Sequence, residues 1–310
     1  MIGGPTASGK SGLALDLAER LGGSVINADS LQVYRELRLL TARPSVEDEA
    51  RVPHHLYGHR SGEAPSSMAN WWTEARQAIT AARSNGQVPV VVGGTGLYLR
   101  ALADGFSDIP DVPPDIRAAM ADRRDRLGAE AFFEWLCQVD PVSARTLTAG
   151  DTQRVLRAAE VLEATGRPID AWRGAEGGPS GLEAFSRITL VPPREPLYQR
   201  CDTRFLAMLE QGALEEARAF MALGYPLHLP VNKALGLGAL RHHLNGDLSL
   251  DDAIAAAQQS TRNYAKRQLT WFRNQVKPDP SKPAQRDLSL DAQYSETFLA
   301  KIVSFVQKER

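Results

Sequence analysis

Cysteine, excess charge and long apolar runs are all scarce in this sequence. Its 310 residues include 2 cysteines, too few for a disulfide framework, which is typical of a reducing compartment. Lys and Arg, 36 in all, nearly balance 37 Asp and Glu, so the overall charge indicates no nucleic-acid partner. Any such partner would need a local basic surface. The longest apolar run, 88–92, is too short to cross a membrane and is typical of a buried strand.

The remaining composition is that of an ordinary globular protein. Apolar residues make up 43% of the chain and charged residues 24%. The length is sufficient for two domains, or for one large domain with an insertion. A glycine-rich motif begins at Gly4, so we expect no signal peptide and a cytoplasmic location.

This glycine-rich motif predicts a phosphate-binding loop. Its residues, Gly4, Pro5, Thr6, Ala7, Ser8, Gly9, Lys10 and Ser11, match the pattern G-x-x-x-x-G-K-[ST] at every fixed position. Backbone N–H groups of such a loop surround a phosphate, the lysine reaches its oxygens, and the serine hydroxyl joins the shell of a Mg²⁺ ion. A glycine turn before an ordinary helix is the alternative. The helix pattern that starts at once favours phosphate binding.

Strand and helix patterns alternate over the first hundred residues. A helix after the motif ends at Gly22, and a strand follows at 24–27. A second helix is predicted at 71–83, ahead of the strand at 88–92. This alternation is typical of a parallel sheet covered by helices.

Two segments rich in proline and glycine then divide the chain, at 107–115 and 173–181. The sequence between them predicts only helices, and a buried strand is expected again at 188–191. We therefore expect an α/β protein in two parts. A P-loop NTPase-like parallel-sheet core would comprise residues 1–107 and 186–310, and a helical insertion domain would comprise residues 108–185.

Acidic side chains at strand ends are scarce. The strand at 88–92 runs into Gly93-Gly94-Thr95-Gly96, where a kinase or nucleotide hydrolase commonly carries an acid that helps to hold Mg²⁺. The nearest such acid is Asp29, beyond the strand at 24–27, where ligands gather in open α/β sheets. Asp29 could instead cap a helix at 30–34. The residues alone leave both roles open.

The segment 253–278 contains no Asp or Glu. On a helix it would carry a basic stripe beside an apolar one. The basic stripe comprises Arg262, Lys266, Arg273 and Lys277, and the apolar stripe comprises Ile254, Ala265, Leu269, Phe272 and Val276. A solvated face is the usual reading of such a run, but the missing acids favour contact with nucleic-acid phosphates.

Seven segments in order give the chain a family resemblance. They are GPTASGKS at 4–11, NADSLQVYR at 27–35, TARP at 41–44, PHH at 53–55, VGGTGLYL at 92–99, QRVLRA at 153–158 and RQLTWF at 267–272. In this combination the chain resembles the tRNA dimethylallyltransferase (isopentenyl-diphosphate:tRNA transferase) family.

The resemblance implies transfer of a dimethylallyl group from dimethylallyl diphosphate to N6 of the adenosine 3′ of the anticodon, position 37. Asp29 would accept the N6 proton, since an exocyclic amine is a poor nucleophile. Thr95 matches the family's catalytic threonine. Arg194 and Arg200, past the strand at 188–191, align with arginines that contact the diphosphate, although either alone would be read as solvated charge. Mg²⁺ is the implied cofactor.

The implied partner is the anticodon stem-loop of tRNA, bound by a monomer, with its adenine flipped towards Asp29. At 237–238 the chain carries Leu237 and Gly238, where the family often has a tyrosine and a basic residue. For Pro53-His54-His55 a structural role is favoured over metal binding. The expected tRNA-binding residues are Asp29, Ser30, Leu31, Gln32, Thr95, Arg117, Gln153, Arg154, Val155, Leu156, Arg157, Lys266 and Arg267.

Two rival functions also use a P-loop. A small-molecule or nucleotide kinase would bind ATP with Lys10, Mg²⁺ and the arginines, but it leaves the acid-free turn at 93–96 unexplained. An RNA-binding protein switched by a nucleotide leaves Asp29 unexplained. Both need a nucleoside triphosphate, whereas prenyl transfer does not.

Overall fold

The computed structural model describes residues 1–172, 180–275 and 284–307. It divides into two compact units. The core unit comprises Met1–Ala103 and Leu182–Arg310, and the insertion unit comprises Asp104–Gly181. Most of the glycine-rich break at 173–181 lies outside the described residues, as do Val276 and Lys277.

A six-stranded parallel sheet forms the centre of the core unit, in the order β3-β2-β4-β1-β5-β6. The expected α/β class and the strands at 24–27, 88–92 and 188–191 are confirmed. The polar segment after 278 was not predicted to contain a strand. The strands are β1 Ile2–Gly3, β2 Gly23–Asn27, β3 His54–His55, β4 Val88–Gly93, β5 Phe185–Leu190 and β6 Gln285–Leu290.

Helices bury both faces of this sheet. Along β4, Val90 and Val92 join one hydrophobic cluster, whereas Val91 joins the other. Successive side chains of a strand point to opposite faces, so a continuous valine run is what a doubly covered strand requires. The α-helices of the described residues are α1 Lys10–Leu21, α2 Val46–Arg51, α3 Met68–Ser84, α4 Gly96–Asp104, α5 Pro114–Leu127, α6 Ala129–Val139, α7 Pro141–Ala144, α8 Thr152–Thr165, α9 Arg194–Glu210, α10 Ala213–Ala222, α11 Leu237–Leu244, α12 Leu250–Gln275 and α13 Leu299–Gln307.

The insertion unit has a helical core of its own. Helices α5, α6 and α8 bury Met120, Phe132, Leu136 and Val161 in one cluster. The guanidinium of Arg123 lies 3.9 Å from the ring centroid of Trp135, a cation–π contact between α5 and α6. The described residues of this unit therefore form a helical body with no dependence on the sheet for its core.

The helix considered at 30–34 is not formed, so this interpretation of Asp29 was wrong. The segment after β2 turns without helical structure. Non-helical partners take its backbone groups: the Ser30 N–H donates to the Thr95 hydroxyl at 3.1 Å and the Leu31 N–H to the Asp29 carboxylate at 3.0 Å, while the Gln32 and Val33 carbonyls accept hydrogen bonds from the Gly58 and Arg60 N–H groups, both at 2.9 Å. Because these groups are satisfied elsewhere, the segment gains little from a helical ladder.

No helix in the described part of the chain is both long and apolar enough to cross a membrane.

Candidate active site

Four neighbouring strands deliver the expected site residues to one edge of the sheet. In the order β2, β4, β1 and β5, their carboxyl ends lead to Asp29, to Thr95, to the P-loop and to α9. Carboxyl ends of parallel strands share an edge, and α/β proteins bind ligands there. The topology therefore brings together residues that are up to about two hundred positions apart in the chain.

The P-loop, residues 4–9, turns from β1 into α1. Ala7 and Gly9 have positive φ values of 63° and 86°, which fold the loop back towards the start of the helix. The Lys10 ammonium donates a hydrogen bond to the Pro5 carbonyl at 3.2 Å, across the mouth of the loop. Loop amides, helix N-terminus and ammonium thus form a cradle suited to phosphate oxygens.

Burial lowers the pKa of Lys10 to about 8, with Arg204 acting in the same direction and Asp29 opposing it. The ammonium is therefore held in a place where a positive charge is poorly solvated. A bound diphosphate would supply the missing counter-charge, so the shift fits an anion site.

An open cleft of about 710 Å³ extends from the P-loop along α9. It is lined by Lys10, Ser11, Arg200 and Arg204 among others. Arg200 is exposed and donates a hydrogen bond to the side chain of Gln293 at 3.0 Å. Arg194, at the exposed first turn of α9, is not among the residues that line this cleft. The structure thus brings one of the two predicted arginines to the phosphate side.

Arg204 is a site residue that the sequence reasoning missed. Its guanidinium donates to the Thr6 hydroxyl of the P-loop at 2.5 Å, and burial lowers its pKa. It stands one helical turn beyond Arg200 on α9, and residues four apart share a helix face. This spacing was the available signal, and it places Arg204 deeper in the site than Arg200.

Asp29 lines a second, small cavity of about 50 Å³ beside the phosphate cleft. Arg204 lines both spaces. The walls of the small cavity also include apolar side chains, among them Leu31, Phe205 and Met208. A carboxylate, a partly buried arginine and a short apolar wall next to a phosphate cradle suit a ligand with a diphosphate and a small hydrocarbon group.

The Asp29 carboxylate is held in place by its own loop. Its backbone N–H donates to the Asn27 side-chain oxygen at 2.8 Å, and the Asn27 amide donates back to the Asp29 carbonyl and to the Leu56 carbonyl, both at 3.0 Å. One carboxylate oxygen accepts the Leu31 N–H at 3.0 Å. A base oriented in this way keeps its geometry while it exchanges a proton.

Thr95 begins the turn into α4 and lies against the Asp29 loop. Its hydroxyl accepts a hydrogen bond from the Ser30 N–H at 3.1 Å and lies 3.4 Å from the Ser30 hydroxyl. The turn requires glycine: a Cβ at Gly93 would lie 2.0 Å from the Ala28 carbonyl oxygen. Close approach of β4 to the residue before Asp29 therefore sets the distance between the hydroxyl and the carboxylate loop.

Gln268 of α12 connects the P-loop to the glycine turn and was also missed. Its side-chain oxygen accepts the Thr6 N–H, and its amide donates to the Gly94 carbonyl, both at 2.8 Å. It is 6% exposed. One buried amide thus fixes the two loops that follow β1 and β4, and nothing in the local sequence pattern distinguished it from core glutamine.

The basic stripe of α12 is weaker than expected. Lys266 and Arg267 are exposed, as is Arg273. Arg262 lies on the expected helix, but it makes an ion pair with Asp202 of α9 at 2.7 Å, so its charge is balanced from another helix. Helical periodicity shows which residues share a face of one helix, but it gives no information about partners on other helices. The apolar stripe is confirmed at Ala265, Leu269 and Phe272, whereas Val276 and Lys277 lie outside the described residues.

The remaining expected tRNA contacts differ in exposure. In the insertion unit Arg117, Gln153 and Arg154 are exposed, and Arg157 lies 3.6 Å from Glu160. Val155 is 2% exposed within the helical core, so its side chain serves packing. Leu156 is partly buried against the same core.

Five further residues have mainly structural surroundings. The Gln32 amide donates to the Thr41 and Ala42 carbonyls, both at 2.8 Å, and so holds the turn that borders the cleft. Leu237 is fully buried in the core cluster, whereas Gly238 borders open space. His54 and His55 form β3, and no metal-binding group of three or more His, Cys, Asp or Glu exists among the described residues.

Comparisons with known proteins agree with this site. A sequence model described as IPP transferase matches residues 32–275, and one described as isopentenyl transferase matches residues 1–57. A tRNA dimethylallyltransferase of Rhodospirillum centenum is 57% identical over 89% of this chain and 88% of its own length. Another, from Parvibaculum lavamentivorans, is 50% identical over 99% of this chain and 95% of its own length.

Solved structures are similar over the whole chain. The full-length tRNA isopentenylpyrophosphate transferase of Bacillus halodurans is 31% identical with a TM-score of 0.67, covering 99% of this chain and 94% of that one. A eukaryotic dimethylallyltransferase acting on tRNA is 25% identical with a TM-score of 0.73, covering 100% and 79%. The resemblance found in the sequence is thereby confirmed: the chain belongs to the IPP transferase family, together with enzymes named tRNA dimethylallyltransferases.

Proposed function

We propose that this chain transfers a dimethylallyl group from dimethylallyl diphosphate to N6 of adenosine 37 in tRNA, and releases diphosphate. The observation that carries the proposal is the pair of adjoining spaces. A phosphate cleft at the P-loop meets the Asp29 cavity at Arg204. The bond to be broken, between the C5 group and the diphosphate, would lie at this junction.

The diphosphate is bound and stabilised by charge. Negative charge accumulates on it as the C–O bond breaks, and preorganised donors that face this charge lower the barrier. The P-loop amides, Lys10 and Arg204 surround the cradle, and Arg200 reaches it from the cleft wall. Arg194, on the same helix, would act on the outer face of the bound ligand.

The protein offers few ligands for Mg²⁺ at this site, so the ion would be held mainly by oxygens of the bound diphosphate. Ser11 lines the cleft with an exposed hydroxyl, and no carboxylate cluster accompanies it among the described residues. Such a donor set suits a Mg²⁺ ion that keeps several waters and binds diphosphate oxygens. The ion would neutralise part of the leaving-group charge.

Asp29 acts on the attacking amine, and Thr95 acts on the leaving group close to the bond that breaks. Asp29 accepts the proton of the adenine N6 amine as the new C–N bond forms, which offsets the weak nucleophilicity of that amine. Thr95 donates a hydrogen bond to a diphosphate oxygen near the breaking bond. Ser30, Leu31 and Gln32 complete the loop around the flipped adenine.

The anticodon stem-loop is held by basic and polar residues at the surface. The enzyme acts as a cytoplasmic monomer. In the insertion unit these residues are the exposed Arg117, Gln153 and Arg154 and the partly buried Arg157, with Leu156 and the Val155 backbone beside them. On α12 they are Lys266 and Arg267. Arginine and lysine at these places would meet loop phosphates and unstacked bases.

A product assay tests the function. Labelled dimethylallyl diphosphate, Mg²⁺ and unmodified tRNA are incubated with the enzyme without any nucleoside triphosphate, and the tRNA is digested to nucleosides. We expect label in N6-dimethylallyladenosine, and none with an anticodon stem-loop that carries guanosine at position 37. Absence of this nucleoside together with ATP turnover that does not need tRNA would contradict the proposal and favour a kinase.

A further inference from the structure

The connection between β6 and α13, residues 291–298, runs past the phosphate cleft. β6 pairs in parallel with β5, so its carboxyl end lies at the same edge of the sheet as those of β1 and β2. The Leu290 carbonyl accepts the Val191 N–H at 2.8 Å, so β6 stays hydrogen-bonded up to its last residue. The chain therefore leaves the sheet on the side of the P-loop. This connection lies beyond the last of the seven motif segments, 267–272.

Tyr294 fixes this connection to the P-loop and to α1. Its backbone N–H donates to the Ser8 carbonyl at 3.1 Å, and its phenol donates to the Asp16 carboxylate at 2.5 Å. Burial and the hydrogen bond to Asp16 both raise the pKa of the phenol, so it keeps its proton and stays a donor. A Cβ at Gly9 would lie 3.0 Å from the Tyr294 Cβ, so the connection packs directly on the loop. The backbone at Gln293, one residue earlier, is thereby anchored.

The side chain of Gln293 holds Arg200. It lines the phosphate cleft, as do Lys10, Ser11 and Arg204. The Arg200 guanidinium donates a hydrogen bond to the Gln293 side-chain oxygen at 3.0 Å. A guanidinium has only donors, so the amide atom that faces it is the oxygen. A long and exposed arginine is thus tied at its tip to an anchored residue.

The partner of Arg200 is neutral. In the described part of the chain no carboxylate pairs with Arg200, whereas Arg262 is paired with Asp202. Burial lowers the pKa of Arg204, and the positive charge of Arg200 lowers it further, so this charge acts within the cleft. An amide orients the guanidinium without balancing its charge. The remaining N–H donors of Arg200 are left for phosphate oxygens.

We propose that Gln293 is a positioning residue, which holds the Arg200 guanidinium at the wall of the cleft for the diphosphate of the substrate. An exposed arginine loses conformational freedom when it binds a ligand, and a hydrogen bond formed beforehand removes part of that cost. The inference rests on the proposed function for the identity of this substrate. Gln293 acts through Arg200 and not on the reacting atoms.

Calorimetric titration with inorganic pyrophosphate at pH 7 tests this positioning. Gln293→Met keeps the length of the side chain and removes the acceptor. We expect the affinity of this variant to fall by about fivefold, the cost of ordering one arginine on binding. Gln293→Glu places a carboxylate against Arg200, which balances its charge and repels the anion, so its affinity should fall by about tenfold or more.

A double-mutant cycle shows whether the loss passes through Arg200. On an Arg200→Ala background, Gln293→Met should change the affinity by less than about twofold, because no guanidinium is left to hold. A residue that only packs in the wall would lower the affinity equally on both backgrounds. In transfer to tRNA, Gln293→Met should raise the KM for dimethylallyl diphosphate by about fivefold and leave kcat within about twofold of the parent value.

Gln275→Met is the matched control. Gln275 accepts a hydrogen bond from Arg100 at 3.4 Å and is not among the residues that line the cleft, so this variant should keep the parental affinity. Parental affinity in Gln293→Met, or an undiminished loss on the Arg200→Ala background, would overturn the inference while transfer to tRNA stands. Pyrophosphate is the only ligand in these titrations, so their outcome does not depend on whether the product assay succeeds.

Discussion

Lys10 carries the charge on which binding of the diphosphate depends. Its folded-state pKa of about 8 lies below the ordinary value of 10.5, because the ammonium is buried. Below pH 8 the group is charged and ready for an anion. The same shift costs folding free energy below pH 8, and this cost fades as pH rises from 8 to 10.5.

Affinity for inorganic pyrophosphate should therefore weaken as pH rises through about 8. Lys10 loses its proton there, and the neutral amine attracts no anion. Calorimetric titrations between pH 7 and 9 measure this. Lys10→Arg stays charged throughout this range, so its affinity for pyrophosphate should lack the decrease near pH 8 that deprotonation of Lys10 causes. Identical pH profiles for the two proteins would contradict this role of Lys10.

At the scale of single residues, the sequence predicts those that belong to contiguous motifs. The P-loop, Asp29 and Thr95 are found together at one sheet edge because each follows a strand of the parallel sheet, and the strands before Asp29 and Thr95 were predicted. Arg204 and Gln268 were missed, since their roles come from hydrogen bonds to Thr6. Thr6 lies 198 positions from Arg204 and 262 positions from Gln268 in the chain. Such partners leave no local pattern.

At the scale of elements, hydrophobic periodicity predicts the central strands and fails at the edge. The valine run of β4 is buried on both faces and is conspicuous in the sequence. The edge strand β6 is polar, QRDLSL, and pairs with β5 in part through an ion pair of Asp287 with Arg187 at 2.5 Å. β6 is a strand because of its pairing with β5, and the local hydrophobic pattern does not show that pairing.

Gly93→Ala tests the close approach of β2 and β4. The new Cβ would lie 2.0 Å from the Ala28 carbonyl oxygen, which is backbone and cannot move aside alone. We expect a loss of about 1–3 kcal/mol in the free energy of unfolding, measured by urea denaturation. Gly238→Ala, a helical glycine with open space around it, should change the stability little or raise it by up to about 1 kcal/mol. Equal effects of the two substitutions would contradict this packing.

At the scale of the whole molecule, a net charge close to zero coexists with local basic surfaces. The formal net charge is -1, yet Lys266, Arg267 and Arg273 are exposed on one helix. Arg154 and Arg117 are exposed on the insertion unit. A nucleic-acid partner is compatible with this distribution because phosphates respond to the charge nearest to them.

Lys266→Ala and Arg154→Ala should each weaken binding of the anticodon stem-loop and lower the slope of log K against log salt by about 1. Binding measured at several salt concentrations gives this slope. Arg83→Ala removes the same charge near the amino ends of the strands, away from the site, and should leave the slope unchanged. Equal losses in all three variants would point to a diffuse charge effect and against these two contacts.

Asp29 links all three scales, because the strand order brings it to the phosphate cleft and its loop orients its carboxylate. The most direct test compares single-turnover transfer to tRNA by the parent and by Asp29→Asn at pH 7, with pyrophosphate affinity measured alongside. We predict that transfer falls by about 10²–10⁴-fold while pyrophosphate affinity stays within about twofold, since the base is lost and the cradle is kept. Transfer at the parental rate by Asp29→Asn would contradict the account.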